Sequence, residues 1–196
     1  MGLLDQSVLA VSQKAKLIEL TNEYAISDQD GNKVGSVKQV GQGKGRKVLR
    51  ALTNVDQFLS LKLEIAEADG TVVLRLERGA KLFKSKIAVT DGSGKTIGSI
   101  NQENVIGKIH FALEAGGRTV GSINAENWRA WNFNIQNHNG QEVARITKKW
   151  AGVMKEAFTT ADNYFVEINQ PIDEPLRSLV VAAALCVDTA LKQDSK

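Results

Sequence analysis

Five times along this 196-residue chain, an alternating apolar run is followed by a turn rich in Gly, Asp or Asn and then by a second alternating run. The first copy runs Tyr24-Ala25-Ile26 through Asp28-Gln29-Asp30-Gly31 into Val34-Gly35-Ser36-Val37, and the second runs Leu63-Glu64-Ile65 through Asp69-Gly70 into Val72-Val73-Leu74. The third runs Ile87-Ala88-Val89 through Asp91-Gly92-Ser93-Gly94 into Ile97-Gly98-Ser99-Ile100. Phe111-Ala112-Leu113 leads through Gly116-Gly117 into Val120-Gly121-Ser122-Ile123, and Phe133-Asn134-Ile135 through Asn139-Gly140 into Val143-Ala144-Arg145-Ile146. Period-two runs around a turn that needs positive φ are the signature of β-hairpins, because Gly and Asn tolerate a backbone that other residues avoid. The turn glycines Gly70, Gly94, Gly117 and Gly140 recur at near-constant spacing. Units of two strands cannot bury their apolar face alone, so a series of them must stack or close on itself. A sandwich and a barrel both satisfy that demand.

The tail of the chain chooses between them. After Pro175, residues 176–191 are rich in Ala and Leu and contain no glycine, and residues 179–187 are apolar on every side. A helix that is hydrophobic all round must be enclosed by protein or by lipid. Sixteen residues make roughly 24 Å of helix, short of the ~30 Å hydrocarbon core of a bilayer, and Arg177 and Asp188 bound the apolar part. The expected structure is therefore a closed antiparallel barrel around a buried C-terminal helix at about 175–191, with no transmembrane span. Leu179, Val180, Val181, Ala184, Leu185 and Val187 form the core of that helix, and the small Ala182, Ala183 and Ala184 let strands approach it. The single domain is expected to cover 1–196, a length sufficient for a sizeable core.

Charge and cysteine usage narrow the setting. The net charge of +3 is mildly basic and admits an anionic partner. Cys186, the one cysteine, lies in the apolar helix and is read as an inert thiol. The start Met1-Gly2-Leu3-Leu4-Asp5-Gln6 lacks the basic and apolar regions of a signal peptide and has Gln6 where a myristoylation motif wants Ser or Thr. A cytoplasmic location, peripheral at the inner face of the plasma membrane, is the expectation.

Residues 144–152, Ala-Arg-Ile-Thr-Lys-Lys-Trp-Ala-Gly, followed by Glu156-Ala157-Phe158-Thr159-Thr160-Ala161-Asp162-Asn163-Tyr164, resemble the phospholipid scramblase family, which has similar phrases in the same order before an aliphatic helix. Leu74-Arg75-Leu76-Glu77-Arg78 and Ile97-Gly98-Ser99-Ile100-Asn101-Gln102 are similar to further family phrases. The resemblance spans about residues 58–191 and is most specific over 146–164. It implies the architecture shared with LURP-one-related proteins and the tubby C-terminal domain, a barrel of about twelve strands around a central hydrophobic helix. It also implies a non-catalytic lipid-related role. The chain departs from animal scramblases, which carry a proline-rich N-terminal region and a palmitoylated cysteine cluster, in having two prolines and one cysteine. Ca²⁺ is implied by the resemblance only through an incomplete segment. Thr160 and Pro171 occupy two of its carboxylate places, leaving Asp162, Asn163 and Asp173, where calcium takes about six to eight oxygens. No metal or other cofactor is expected, and Asp162 and Asn163 are read as shaping the turn into a strand over 164–168.

Two basic segments are the candidate lipid-binding residues. Lys44, Arg46, Lys47 and Arg50 lie in a glycine-rich stretch without an acid, a composition that brings backbone N-H groups and cations to phosphate. Lys81, Lys84 and Lys86 follow, interleaved with Leu82, Phe83 and Ile87. Converging on one side, the two would make an anionic-lipid patch. The glycine-rich stretch has neither P-loop nor dinucleotide spacing. His110 and His138 lack zinc-ligand spacing, Ser36, Ser99 and Ser122 are read as strand residues, and Trp128, Trp131 and Trp150 as caps on the barrel core.

The partner expected is thus an anionic phospholipid or phosphoinositide at a membrane surface, with assistance to transbilayer lipid movement as the extended role. Two alternatives stay open: a soluble regulatory or scaffold barrel that binds protein or nucleic acid, and a carrier of a small apolar ligand in the lumen.

Overall fold

The computed structural model describes residues 2–12, 23–41, 61–79, 86–104, 109–127, 132–148 and 163–191, with helix side chains described as far as Leu185. Twelve strands form one closed antiparallel barrel: β1 (Val8–Ser12), β2 (Glu23–Ser27), β3 (Lys33–Gln39), β4 (Leu61–Glu67), β5 (Val72–Arg78), β6 (Lys86–Asp91), β7 (Thr96–Gln102), β8 (His110–Ala115), β9 (Arg118–Asn127), β10 (Asn132–Asn137), β11 (Glu142–Thr147) and β12 (Asn163–Ile168). Every strand pairs with its neighbours in sequence, and the five hairpins read from the repeats are β2/β3, β4/β5, β6/β7, β8/β9 and β10/β11. β12 is the expected strand after residue 162. β1, which no hairpin phrase marks, closes the cylinder by pairing with β12 from Val8↔Glu167 to Ser12↔Asn163 and with β2. Closure satisfies the backbone groups that an open edge would expose.

The tight turns are held by local chemistry. Asp28, Asp69, Asp91 and Asn137 each accept backbone N-H bonds from residues two or four positions on, at 2.8–3.1 Å. Each such turn closes through a glycine at positive φ: Gly31, Gly70, Gly94 and Gly140. The β8/β9 turn lacks an anchoring carboxylate and places Gly116 and Gly117 at φ 58° and 76°, the left-handed pair that a two-residue hairpin requires.

A bulge recurs at the same place in all five hairpins. Ile26, Ile65, Val89, Leu113 and Ile135 face Gly35, Leu74, Gly98, Gly121 and Ala144, and the next pair skips one residue of the second strand. The skipped residues are Val34, Val73, Ile97, Val120 and Val143. Strict alternation would face these residues outward, and the bulge turns them toward the core instead, where all five are buried or partly buried. This is why two apolar residues stand side by side in Val73-Leu74 while the remainder of each strand alternates.

The C-terminal helix, Leu176–Leu191, occupies the lumen, with Leu179 through Ala184 fully buried. Its ~24 Å length matches the ~20–24 Å height of strands six or seven residues long. Inward glycines make room for it. A Cβ on Gly121 would stand 2.6 Å from the Gln136 carbonyl oxygen and 2.9 Å from Leu176 Cδ1, and one on Gly98 would stand 2.1 Å from the Glu114 carbonyl oxygen and 3.2 Å from Leu179 Cδ1. Gly35 does the same for Leu3, whose Cδ1 lies 2.3 Å from the place a Cβ would take. The glycine in three copies of the repeat phrase is therefore a seat for a leucine from the helix or the N-terminal turn.

Candidate functional site

Strand direction sorts the chain between two ends of the barrel. The five tight turns, the N-terminal segment and the start of the helix share one end, here the turn end. The other six connections join strands at the other, the loop end.

The turn end is closed by packing. Leu3, in the short 3-10 turn Leu3–Asp5, is fully buried, and its N-H donates to both Glu67 carboxylate oxygens at 2.9 and 3.0 Å. Arg177, at the base of the helix, donates to the carbonyls of Leu4 and Gln6 and straps the N-terminal segment across the opening. The Glu174 carboxylate accepts Ser178 Oγ at 2.9 Å and covers a helix N-H that has no intrahelical partner. A shallow cleft of about 260 Å³ lies beside Ser7, Ile168 and Arg177. The guanidinium there is already engaged with main-chain carbonyls.

At the loop end, β3 finishes at Gln39 and β4 begins at Leu61, while β5 finishes at Arg78 and β6 begins at Lys86. Strands β3 to β6 are consecutive neighbours, so the ends that flank the two basic segments lie side by side on one rim. Lys86 is exposed there. The other six candidates, Lys44, Arg46, Lys47, Arg50, Lys81 and Lys84, lie outside the described residues. Of the expected helix core, Leu179, Val180, Val181, Ala184 and Leu185 are buried in the lumen, and Val187 lies in the helix beyond the described side chains.

One charged residue with an unexpected setting is Arg78, which is only 3% exposed. It continues the inward row of Leu74 and Leu76, and its cross-strand partners Leu61 and Ile87 are core residues. The alternation Leu74-x-Leu76-x-Arg78 carried that information: period two assigns the arginine to the lumen face.

The outer wall neutralises its own charges. Lys62 pairs with Glu77 at 2.8 Å and Arg75 with Glu64 at 3.1 Å, both across β4 and β5. Arg145 binds Glu126 at 2.8 Å and Glu142 at 2.7 Å, and Asn132 and Asn134 also donate to Glu126. The hydrogen bond from Arg145 holds Glu126 below the usual carboxylate range, and the bonds to Glu142 and Glu126 hold Arg145 firmly protonated. Glu167, opposite Arg145 in register, is pushed up by burial despite that cation. His110 sits between Asn124 Oδ1 at 2.5 Å and Glu103 at 2.8 Å. The phrase Gly-Ser-Ile-Asn-x-Glu-Asn, present at 98–104 and again at 121–127, supplies both partners, and Ser99 and Ser122 each accept a bond from the asparagine two residues on.

Ser36, Ser99 and Ser122 are strand residues, as expected. Asn163 opens β12 and Asp173 is exposed ahead of the helix, while Asp162 and the three tryptophans lie outside the described residues. Among the described residues no group of three or more His, Cys, Asp or Glu is placed to hold a metal ion, and no helix is long and apolar enough to cross a membrane.

A closed barrel with a helix-filled lumen and chemically distinct ends is thus the class that this chain defines. The Scramblase family model matches residues 2–191, and the chain belongs to that family. A phospholipid scramblase family protein of Schizosaccharomyces pombe is 23% identical over 180 residues, covering 83% of this chain and 46% of that protein. Human phospholipid scramblase 2 is 35% identical over 46 residues, covering 24% of this chain and 16% of its own. The chain therefore spans less than half the length of these curated relatives. An X-ray structure of an Arabidopsis thaliana protein superposes with a TM-score of 0.56 at 14% identity, covering 92% of this chain and 90% of that one, and supports the fold.

Proposed function

We propose that this protein is a non-catalytic, scramblase-like module that binds anionic phospholipid, including phosphoinositide, at a membrane surface. The observation that carries this reading is the shared rim: the strand ends flanking Lys44, Arg46, Lys47 and Arg50 adjoin those flanking Lys81, Lys84 and Lys86. Each cation held near an anionic surface contributes about 1 kcal/mol, so seven together support reversible docking without a lipid anchor. The apolar helix inside the barrel leaves lipid headgroups no polar track along the axis. Any assistance to transbilayer movement therefore acts through the exterior, and the filled lumen argues against a carrier role.

Co-sedimentation with phosphatidylcholine vesicles, with and without phosphatidylserine or a phosphoinositide, tests the reading. Binding is expected only to the anionic vesicles, declining steeply from low to moderate salt as exposed charges are screened. Replacing Lys44, Arg46 and Lys47 by Glu is expected to lower affinity by more than tenfold. Failure to bind anionic vesicles at low salt overturns the proposal, and tighter, salt-steep binding to DNA under the same conditions assigns the basic rim to nucleic acid instead.

A further inference from the structure

We infer that the cleft beside Arg177 at the turn end binds a small zwitterion, an amine-bearing phosphate ester, with its phosphate on the guanidinium and its ammonium group toward Asp5. The cleft, about 260 Å³, is lined by Asp5, Ser7, Asn169, Gln170 and Arg177, with Ile168 as an apolar part of its wall. It shares no residue with the basic segments of the other end.

Arg177 supplies the anion half. Its Nε and Nη2 donate to the carbonyls of Leu4 and Gln6, neutral acceptors that hold the guanidinium in place without cancelling its charge. Among the described residues no carboxylate stands within ion-pair distance of it, and its Nη1 makes no hydrogen bond. Arg75 and Arg145, by contrast, are paired with glutamates on the wall. Glu174, the acid nearest to Arg177 in sequence, is turned to Ser178 instead. Arg177 also stands in the first turn of the 16-residue helix, where the macrodipole adds positive potential. An oxyanion at Nη1 therefore meets a cation that is already ordered and has no other counter-ion, which spares binding the entropy of fixing a long side chain.

Neutral donors surround it. Ser7 Oγ and the Asn169 side-chain amide have no hydrogen-bond partner among the described residues, and Gln170, whose Oε1 accepts Gln141 Nε2 at 2.8 Å, keeps its own Nε2 donor. The main chain fixes these walls: the Ile168 N-H donates to the Ser7 carbonyl at 2.7 Å and the Asn169 N-H to the Val143 carbonyl at 2.9 Å. Donors from four side chains suit the three terminal oxygens of a phosphate better than the two of a carboxylate.

Asp5 sets the other half. Its Oδ2 accepts the Gly2 N-H at 2.9 Å, which leaves Oδ1 open. It lines the same cleft as Arg177 and forms no ion pair with it. A simple anion is repelled by Asp5 and a simple cation by Arg177. A molecule carrying both signs a few bonds apart satisfies both.

Titration of the full chain at constant ionic strength, followed through amide resonances by NMR, tests the site. O-phosphoethanolamine is expected to give saturable shifts at Asn169, Gln170 and the Arg177 side chain, inorganic phosphate to bind about fivefold more weakly, and ethanolamine to give none. Asn169→Asp puts a negative charge at an exposed position with no side-chain partner to lose, and is expected to weaken O-phosphoethanolamine about tenfold. Asp5→Asn keeps an oxygen for the Gly2 N-H and is expected to remove the preference over phosphate. Lys95→Gln, on another turn, is expected to change neither. Shifts that grow linearly and spread over Lys33, Lys95 and Arg118 overturn the site. Equal affinity for phosphate and O-phosphoethanolamine, or a preference that survives Asp5→Asn, overturns the zwitterion. Dihexanoyl phosphatidylethanolamine below its micelle concentration separates the two sources of this chemistry: affinity equal to that of the soluble ester assigns a lipid headgroup, and binding about tenfold weaker assigns the free ester. Vesicle binding by the basic segments is read independently, so either result can fail while the other holds.

Discussion

The two ends of this barrel are made from the same strands, yet they are closed by different physics. At the turn end, connections of a few residues leave no slack, so every group is specified: an Asp or Asn anchors four of the turns, a positive-φ glycine closes each of the five, Leu3 fills the opening and Arg177 ties the cover down. At the loop end, most connections are longer, and taken together their residues are basic in composition. One end is determined by steric fit and the other by composition. The lesson is that a repeated hairpin constrains only the end at which it turns, leaving the opposite end available for function.

The comparison breaks most severely where the fit is tightest. Gly98→Ala drives a Cβ into the Glu114 carbonyl and against Leu179, and overpacking of this kind costs about 3 kcal/mol or more. A fall in Tm of about 6–12 °C by circular dichroism is expected, since about 1 kcal/mol corresponds to ~2–4 °C at this size. Gly70→Ala provides the contrast. Nothing stands within 4 Å of its Cβ position, so only the φ of 90° is penalised and the loss is about 1 kcal/mol. Equal losses at the two sites would show that the helix seat is not the reason for Gly98.

Leu3→Ala comes next, because it empties a fully buried site above Gly35 for about 2–3 kcal/mol. Hydrogen exchange is expected to rise at the turn end, in β3 and at the helix base, while the middle of β9 and β10 stays protected. Uniform loss of protection would show that Leu3 is part of the global core and not a cover for one end.

The smallest effect is in pH. A carboxylate held below its ordinary pKa gives its full stabilisation above that ordinary value and loses it as the pH falls through the lowered one. Asp69 and Asp91, hydrogen-bonded by Thr71 and Ser93, follow that rule, so the turn end weakens below about pH 4. Glu167 has the opposite sign, since burial raises it: its cost is present at neutral pH and vanishes in acid. Glu167→Gln is therefore expected to raise Tm at pH 7 by about 1–2 °C and to lose that advantage near pH 4. A destabilising effect at pH 7 would mean that attraction to Arg145 outweighs burial.

Much of this architecture was legible because local rules carry it. Five hairpins, β12 and the bounds of the helix follow from period two, turn glycines and an apolar run flanked by Arg177 and Asp188. β1 escaped because no tight-turn phrase follows Val8-Leu9-Ala10-Val11: its partner β2 begins only at Glu23, and its other partner β12 lies far along the chain. The bulges escaped as well. Val-Gly-Ser reads locally as a lapse in alternation, and only the register against the opposite strand reveals a skipped residue. The two basic segments stood out by composition, while the adjacency of the strand ends that flank them depends on β3 to β6 being consecutive neighbours on one rim.

The amino-acid order alone determined that hairpins form, that their apolar faces need closure, and that a helix greasy on every side needs enclosing. Those follow from backbone sterics and side-chain hydration within a few residues. Folding in three dimensions decided which strand seals the cylinder, why the repeat glycines must be glycine, and which charges meet. Each of these depends on distances between residues remote in sequence, set by strand register and direction, which no local window contains.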